Sequence, residues 1–226
     1  MIIALVGHEL RSPLGTILSG IKLLARHPLS DESQRVVAMM ERQALHASRL
    51  VADLIDLSRV SSGTFRVELR PTTADQIVER VIEGCQPLAR ERSRNLESRL
   101  QDGLEPFSGD PDRLVQALRN LVDNAIKFTQ TNGLISVRVA ATETGIMFSV
   151  CDDGVGISPE DLPRLGLPFS QLEAAKEQRS HGLGLGLHIV KSIAEAHGGA
   201  LFATSDGPSK GSCFSFEVPR RKGSDS

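Results

Sequence analysis

The chain has 226 residues, 40% of them hydrophobic and 24% charged, with a net charge of −2 and a pI near 6.3. That is enough chain for one or two domains with a real core, although it holds no Trp and no Tyr. The near-neutral charge balance argues against a broad nucleic-acid footprint, which needs a basic excess. No apolar run approaches the ~20 residues of a membrane span. Ile2–Val6 is too short and lacks the basic flank of a signal peptide. Cys85, Cys151 and Cys213 are odd in number and not in CxxC spacing, so they are expected as separate, reduced packing residues of a cytoplasmic protein, with no metal role.

The first helical segment is expected over residues 2–26. Ile3, Val6, Leu10, Leu14, Ile17, Ile21 and Leu24 recur at steps of three or four, a stripe close to heptad spacing. Inside it, Gly7-His8-Glu9-Leu10-Arg11-Ser12-Pro13-Leu14 sets a histidine beside a carboxylate. Pro13 removes a backbone donor, and a kink is expected there. Ser30 reads as an N-cap, followed by Asp31 and Glu32 at the positive end of a second helix over residues 31–62. Val36, Met40, Ala47, Leu50, Leu54 and Leu57 form its stripe, and Val37, Ala44, Val51 and Ile55 a neighbouring row. Two helices cannot cover two broad stripes, so a four-helix bundle made by a homodimer through residues 2–62 is expected. The alternative is that these faces pack on the second domain. Ser61-Ser62-Gly63 ends the helix and bounds a first domain, 1–63.

A second domain is expected over residues 64–220, with a frayed tail at 221–226. Phe65, Val67 and Leu69 alternate with polar residues as in a strand. Thr73 and Gln76 read as a capping box opening a helix, which Pro87 is expected to disturb or end. A strand over residues 95–100 precedes Asp110-Pro111, an N-cap and N1 proline for a helix reaching Phe128. Two hairpin-linked strands, a glycine-punctuated stretch over 153–186, a helix ended by Gly198-Gly199 and two closing strands complete the pattern. Strands and helices without regular βα alternation predict an α+β domain, with helices on one face of a mixed sheet.

Three stretches carry candidate chemistry. Asn120 and Asn124 lie four apart on one helix face, with Lys127 a turn beyond. An amide oxygen suits Mg²⁺, and a lysine meets a phosphate as a point charge. Asp152 follows a strand, where its carboxylate could accept a hydrogen bond from an exocyclic amine, and Gly154 and Gly156 would let backbone approach a ligand. Gly182-Leu183-Gly184-Leu185-Gly186-Leu187 opens a helix whose free N–H groups could cradle phosphate. It is neither a Walker A loop nor a dinucleotide fingerprint.

Together these stretches resemble the ATP-binding domain shared by histidine kinases, gyrase-type topoisomerases, Hsp90 and mismatch-repair ATPases, the Bergerat or GHKL type. Asp110 through Asn120, Asn124, Lys127 and Phe128 resembles the kinase N-box, and Asp152, Gly154, Gly156 and Ile157 the G1 box. Pro168-Phe169 resembles the end of the F-box, and Gly182 to Leu187 the G2 box. His197-Gly198-Gly199 and Lys210 to Phe216 resemble the closing segments, while GHELRSPL resembles the H-box of sensor histidine kinases. Gly166 stands where the F-box has its first Phe, and Leu183 where a small hydroxyl residue is common in G2. Both departures fall in or beside the expected lid between Ile157 and Gly182.

The resemblance implies an all-α helical hairpin, dimeric as a four-helix bundle, followed by an α+β sandwich. It implies ATP and Mg²⁺ as cofactors. Adenine would bond to Asp152 and Mg²⁺ to Asn124, with Asn120, Lys127, Phe128, Gly154, Gly156, Ile157, Phe169, Gly182, Leu183, Gly184, Leu185 and Gly186 around the nucleotide. His8 would be the phosphoacceptor, Glu9 its partner base, and Ser12 a water-positioning residue for dephosphorylating a response-regulator receiver domain, the implied partner. The same resemblance implies a cytoplasmic core and is compatible with a longer, membrane-anchored parent. A GHKL-type ATPase without phosphotransfer and a non-catalytic scaffold are the alternatives.

Overall fold

The computed structural model describes residues 2–167 and 184–220, with backbone alone at 2–9, 11 and 46. The chain forms two compact units that divide between Phe65 and Arg66.

In the first unit, α1 (Ile2–Leu24) runs unbroken through Pro13, and α2 (Asp31–Ser61) packs beside it. Ser30 caps α2 by accepting the N–H of Ser33 at 3.3 Å, with Asp31 and Glu32 in its first turn. Ile21, Ala44, Val51, Ile55 and Leu57 are buried. Leu10, Ile17, Leu24, Val36, Met39 and Met40 remain exposed.

The second unit begins with an irregular stretch at 64–69 and a short strand, β1 (Arg70–Thr72). The strand expected at Phe65, Val67 and Leu69 is therefore displaced. Its pairing partner decides the matter: β3 (Phe107–Gly109), three residues with no period to read, pairs antiparallel with 70–72. Between them α3 (Ala74–Glu91) is capped by Thr73, which accepts the N–H of Gln76, and β2 spans Asn95–Leu100. Pro87 does not end α3, which continues to Glu91. Buried Val81, Cys85 and Ala89 hold that helix against the domain on both sides of the proline, so packing overrides the lost hydrogen bond.

Helix α4 (Pro111–Phe128) starts at Asp110, whose Oδ1 accepts the N–H of Arg113 at 3.1 Å. Strands β4 (Leu134–Ala141) and β5 (Gly145–Asp152) form the hairpin, α5 spans Gly186–Ala196, and β6 (Leu201–Thr204) and β7 (Ser212–Pro219) close the chain. The five-stranded sheet has order β2-β4-β5-β7-β6, parallel only between β2 and β4. Alternation assigns its faces. Ile146, Phe148 and Val150 are buried on one face with Leu114, Leu118, Leu121 and Ile189 of the helices, while Met147, Ser149 and Cys151 are half-buried on the other. Phe148 stacks on Phe216 across β5 and β7 with ring centroids 5.1 Å apart.

Cys151 and Cys213 were expected as separate thiols, and the structure corrects this: they are bonded to each other. They are 62 residues apart in sequence but register partners on adjacent strands, which no spacing rule reveals. Cys85 is buried and outside this disulfide, its thiol donating to Asp123 Oδ1 at 4.0 Å.

Candidate functional site

The site is built where α4, the end of β5 and the start of α5 meet. Asp152 is the last residue of β5. Its Oδ1 accepts the N–H of Gly154 at 2.9 Å, and its Oδ2 accepts the hydroxyl of Ser212 at 2.6 Å. Burial pushes this carboxyl above its ordinary value, opposed by the bonds from Ser212 and Gly154. The neighbouring Asp153 is exposed, and its Oδ1 accepts the N–H of Leu134 at 2.9 Å, closing the β4 end of the hairpin. One register step thus gives two adjacent aspartates different work.

Close backbone approach explains the glycines after β5. A Cβ on Gly154 would lie 2.4 Å from the Phe128 carbonyl oxygen, which accepts the N–H of Val155. The end of α4 and the turn after β5 are thereby held together. Gly156 has φ +67°, and a Cβ there would lie 2.1 Å from the Gly207 carbonyl oxygen. The buried Ile157 donates its N–H to the hydroxyl of Ser205 at 3.0 Å.

On α4, Asn120 donates its side-chain amide to the Gly186 carbonyl oxygen at 3.4 Å, so this helix also touches the start of α5. Asn124 and Lys127 are half-buried. Burial lowers the Lys127 pKa, with the charge of Arg92 acting in the same sense, and its Nζ lies 4.9 Å from the centroid of the Phe128 ring. Gly184 has φ +69°, Leu185 is buried, and no side chain caps the first turn of α5. Uncapped N–H groups at a helix start favour an anion. The far ends of the two helices are tied by His197, which is buried. Its Nε2 accepts the N–H of Asp110 at 3.0 Å and its Nδ1 donates to the Ile193 carbonyl at 2.8 Å.

A family model described as histidine kinase-, DNA gyrase B-, and HSP90-like ATPase matches residues 109–222, about half of the chain. A second, the His Kinase A (phospho-acceptor) domain, matches residues 2–63. The chain belongs to the histidine kinase family. This histidine kinase core is 34% identical over 90% of its length to the histidine protein kinase DivJ of Caulobacter vibrioides, covering 34% of that protein. It is 30% identical over 97% of its length to the circadian input-output histidine kinase CikA of Synechococcus elongatus, covering 30% of it. Among solved structures, full-length ShkA in complex with AMPPNP superposes with a TM-score of 0.77 at 29% identity, over 97% of this chain and 46% of that one. The histidine kinase AdeS of Acinetobacter baumannii gives 0.65 at 25% identity, over 95% and 98%. The kinase core thus spans about a third of the length of these curated relatives.

In this histidine kinase core, Asn120, Phe128, Asp152, Gly154 and Gly186 are linked by the bonds and contacts just described. His8 and Glu9 lie in α1, where the backbone alone is described, and Ser12 is exposed on the same helix. Pro168, Phe169, Gly182 and Leu183 lie outside the described residues. Gly211 and Ser212 lie in the closing segment the sequence marks, but nothing in the sequence names them as site residues. Gly211 has φ +71°, and a Cβ there would lie 1.9 Å from the Asp152 carbonyl oxygen. The available signal was the Lys210-Gly211-Ser212 turn before an alternating strand, which does not reveal which strand lies beside it.

Proposed function

We propose that this chain is the core of an ATP-dependent protein-histidine autokinase that phosphorylates His8 and passes the phosphoryl group to an aspartate of a response-regulator receiver domain. The observation that carries the reading is the convergence of Asn120 with Gly186, and of Asp152 with Gly154, in a chain whose helical hairpin bears His8 and Glu9. Adenine donates its exocyclic amine to the Asp152 carboxylate. The phosphates lie against the uncapped start of α5, with Lys127 as a positive charge near them. Gly156, Ile157, Gly184 and Leu185 border the nucleotide; Phe169, Gly182 and Leu183, the other nucleotide-binding residues the resemblance implies, lie outside the described residues.

Among the described residues, no group of three or more His, Cys, Asp or Glu side chains could hold a metal ion. That suits Mg²⁺, which keeps phosphate and water oxygens and needs few protein ligands. Asn124 would be the protein ligand, and the ion would neutralise phosphate charge. Glu9 orients neutral His8 and takes its proton as the ring nitrogen attacks the γ-phosphorus. A P–N bond forms, the bond to the ADP oxygen breaks, and ADP leaves. The helical hairpin pairs with a second copy through residues 2–62, since its exposed apolar residues need a partner. No helix among the described residues is long and apolar enough to cross a membrane. The need for ATP and a receiver domain puts this core in the cytoplasm.

Incubation with γ-labelled ATP tests the reading. Acid-labile, base-stable label is expected on the protein, and none on His8→Gln, which still binds ATP. Label persisting on His8→Gln would sink the phosphoacceptor assignment. Free phosphate with no labelled protein would indicate an ATPase, and neither product a scaffold.

A further inference from the structure

We infer that Cys151 and Cys213 form a thiol–disulfide exchange site whose state sets the nucleotide affinity of this core, a regulation that rests on the nucleotide reading of Asp152. The two cysteines are register partners on β5 and β7, and the next register pair is Asp152 with Ser212. β5 ends at Asp152 and β7 begins at Ser212, so the link joins the two strands one residue from their ends. Two backbone bonds, from the Gly211 N–H to the Gly154 carbonyl at 3.1 Å and from the Ser209 N–H to the Val155 carbonyl at 2.7 Å, continue the pairing beyond these ends, and a strand end still opens locally at lower cost than its middle. Here such an opening would separate the Ser212 hydroxyl from Asp152 Oδ2. The disulfide suppresses it and keeps the carboxylate pre-oriented, and pre-orientation raises affinity by cutting the ordering cost of binding.

The sheet's alternation makes the pair serviceable. Asp152 shares the helix-covered face with Val150, whereas Cys151 and Cys213 lie on the opposite face, half-buried, beside the bonded pair Ser149 and Ser215. A small thiol or disulfide reaches the sulfurs without entering the nucleotide site. The third cysteine, Cys85, is buried in α3 and takes no part.

The co-reactant is a low-molecular-weight disulfide. One protein thiolate attacks it, releasing the first small thiol and leaving a mixed disulfide. The second protein thiolate then attacks the protein sulfur of that bond and expels the second small thiol. Two electrons pass from the cysteine pair to the reagent. The two protons of the cysteines end on the two small thiols. An excess of a small dithiol restores both thiols: one of its thiolates opens the protein disulfide, and the other closes to a cyclic disulfide and expels the second protein sulfur.

The test uses the whole chain, equilibrated with oxidised glutathione or with reduced dithiothreitol. Alkylation under unfolding conditions counts thiols, and calorimetry with a non-hydrolysable ATP analogue reads affinity. The oxidised form should show one alkylated thiol, that of Cys85, and bind the analogue at least about threefold more tightly than the reduced form, as pre-orientation predicts. The double variant Cys151→Ser, Cys213→Ser should match the reduced form under both conditions, and Cys85→Ser should respond like the parent. A full count of three thiols after oxidation overturns the proposal. So does equal affinity of the two states, or a redox response that survives in the double variant. Binding in neither state, with the bond formed, overturns the nucleotide reading and this proposal with it; equal binding overturns the redox proposal alone.

Discussion

In the helical hairpin, Leu10, Ile17, Met39 and Met40 each keep 42–50% of their surface exposed, whereas Leu118, Phe148 and Phe216 of the α+β unit are fully buried. Two helices offer each other one stripe apiece, and any second apolar row is left uncovered. A sheet covered by α3, α4 and α5 hides a whole face. The hairpin is thus built to be completed by something else. The α+β unit is complete in itself and can fix polar groups at its edge. The proposed acceptor histidine and the proposed nucleotide site therefore sit on different kinds of scaffold: one is shared surface, the other requires rigid backbone.

The largest effect should come from breaking the closed core. Phe148→Ala removes a fully buried ring stacked on Phe216 and should cost about 3–5 kcal/mol in unfolding of the α+β unit. Denaturant unfolding read by calorimetry or fluorescence probes checks it. A loss under about 1 kcal/mol would mean that this core is not the close-packed layer described.

Next comes the edge of that core. Asp152→Ala should lose roughly 1.5–3 kcal/mol of nucleotide affinity, the range for a hydrogen bond to a charged group. The pH dependence has a definite sign. Burial raises the Asp152 pKa, so the folded apo-protein binds this proton more readily than the unfolded chain. The associated stability is present at acid pH and is lost as pH rises through the raised pKa. Asp152→Asn should therefore be at least as stable as the parent at neutral pH without nucleotide, with the difference shrinking as pH falls through the carboxylate range. Thermal unfolding over a pH series decides this, and a variant less stable at neutral pH would refute it.

The hairpin should answer differently to truncation. Ile17→Ala should leave monomer unfolding almost unchanged but weaken self-association by roughly 1 kcal/mol per chain, about half of a full isoleucine burial. Light scattering over a concentration series should show dimer at high concentration and an earlier dissociation for the variant. An unchanged midpoint would mean that Ile17 faces no partner.

The smallest effect on stability belongs to Ser12, an exposed residue whose backbone carbonyl accepts the Thr16 hydroxyl. Ser12→Ala should change stability by no more than about 0.5 kcal/mol, and should spare autophosphorylation while slowing phosphate loss from a cognate phospho-regulator. Equal dephosphorylation rates for variant and parent would remove the role.

The sequence alone determined the long elements and marked their candidate chemistry. Heptad-like spacing marked α1 and α2, and Ser30, Thr73 and Asp110 marked helix starts, because capping and helical period are local properties. Motif order marked Asn120, Asn124, Asp152 and Gly184 to Gly186. Tertiary structure decided what depends on neighbours far along the chain. It put β1 at 70–72 opposite β3, carried α3 through Pro87, and separated the tasks of Asp152 and Asp153. It also brought Ser212 to Asp152 and bonded Cys151 to Cys213. The register of β5 on β7 is set by pairing between residues 60 to 74 apart in the chain, and nothing within either strand's own sequence names its partner.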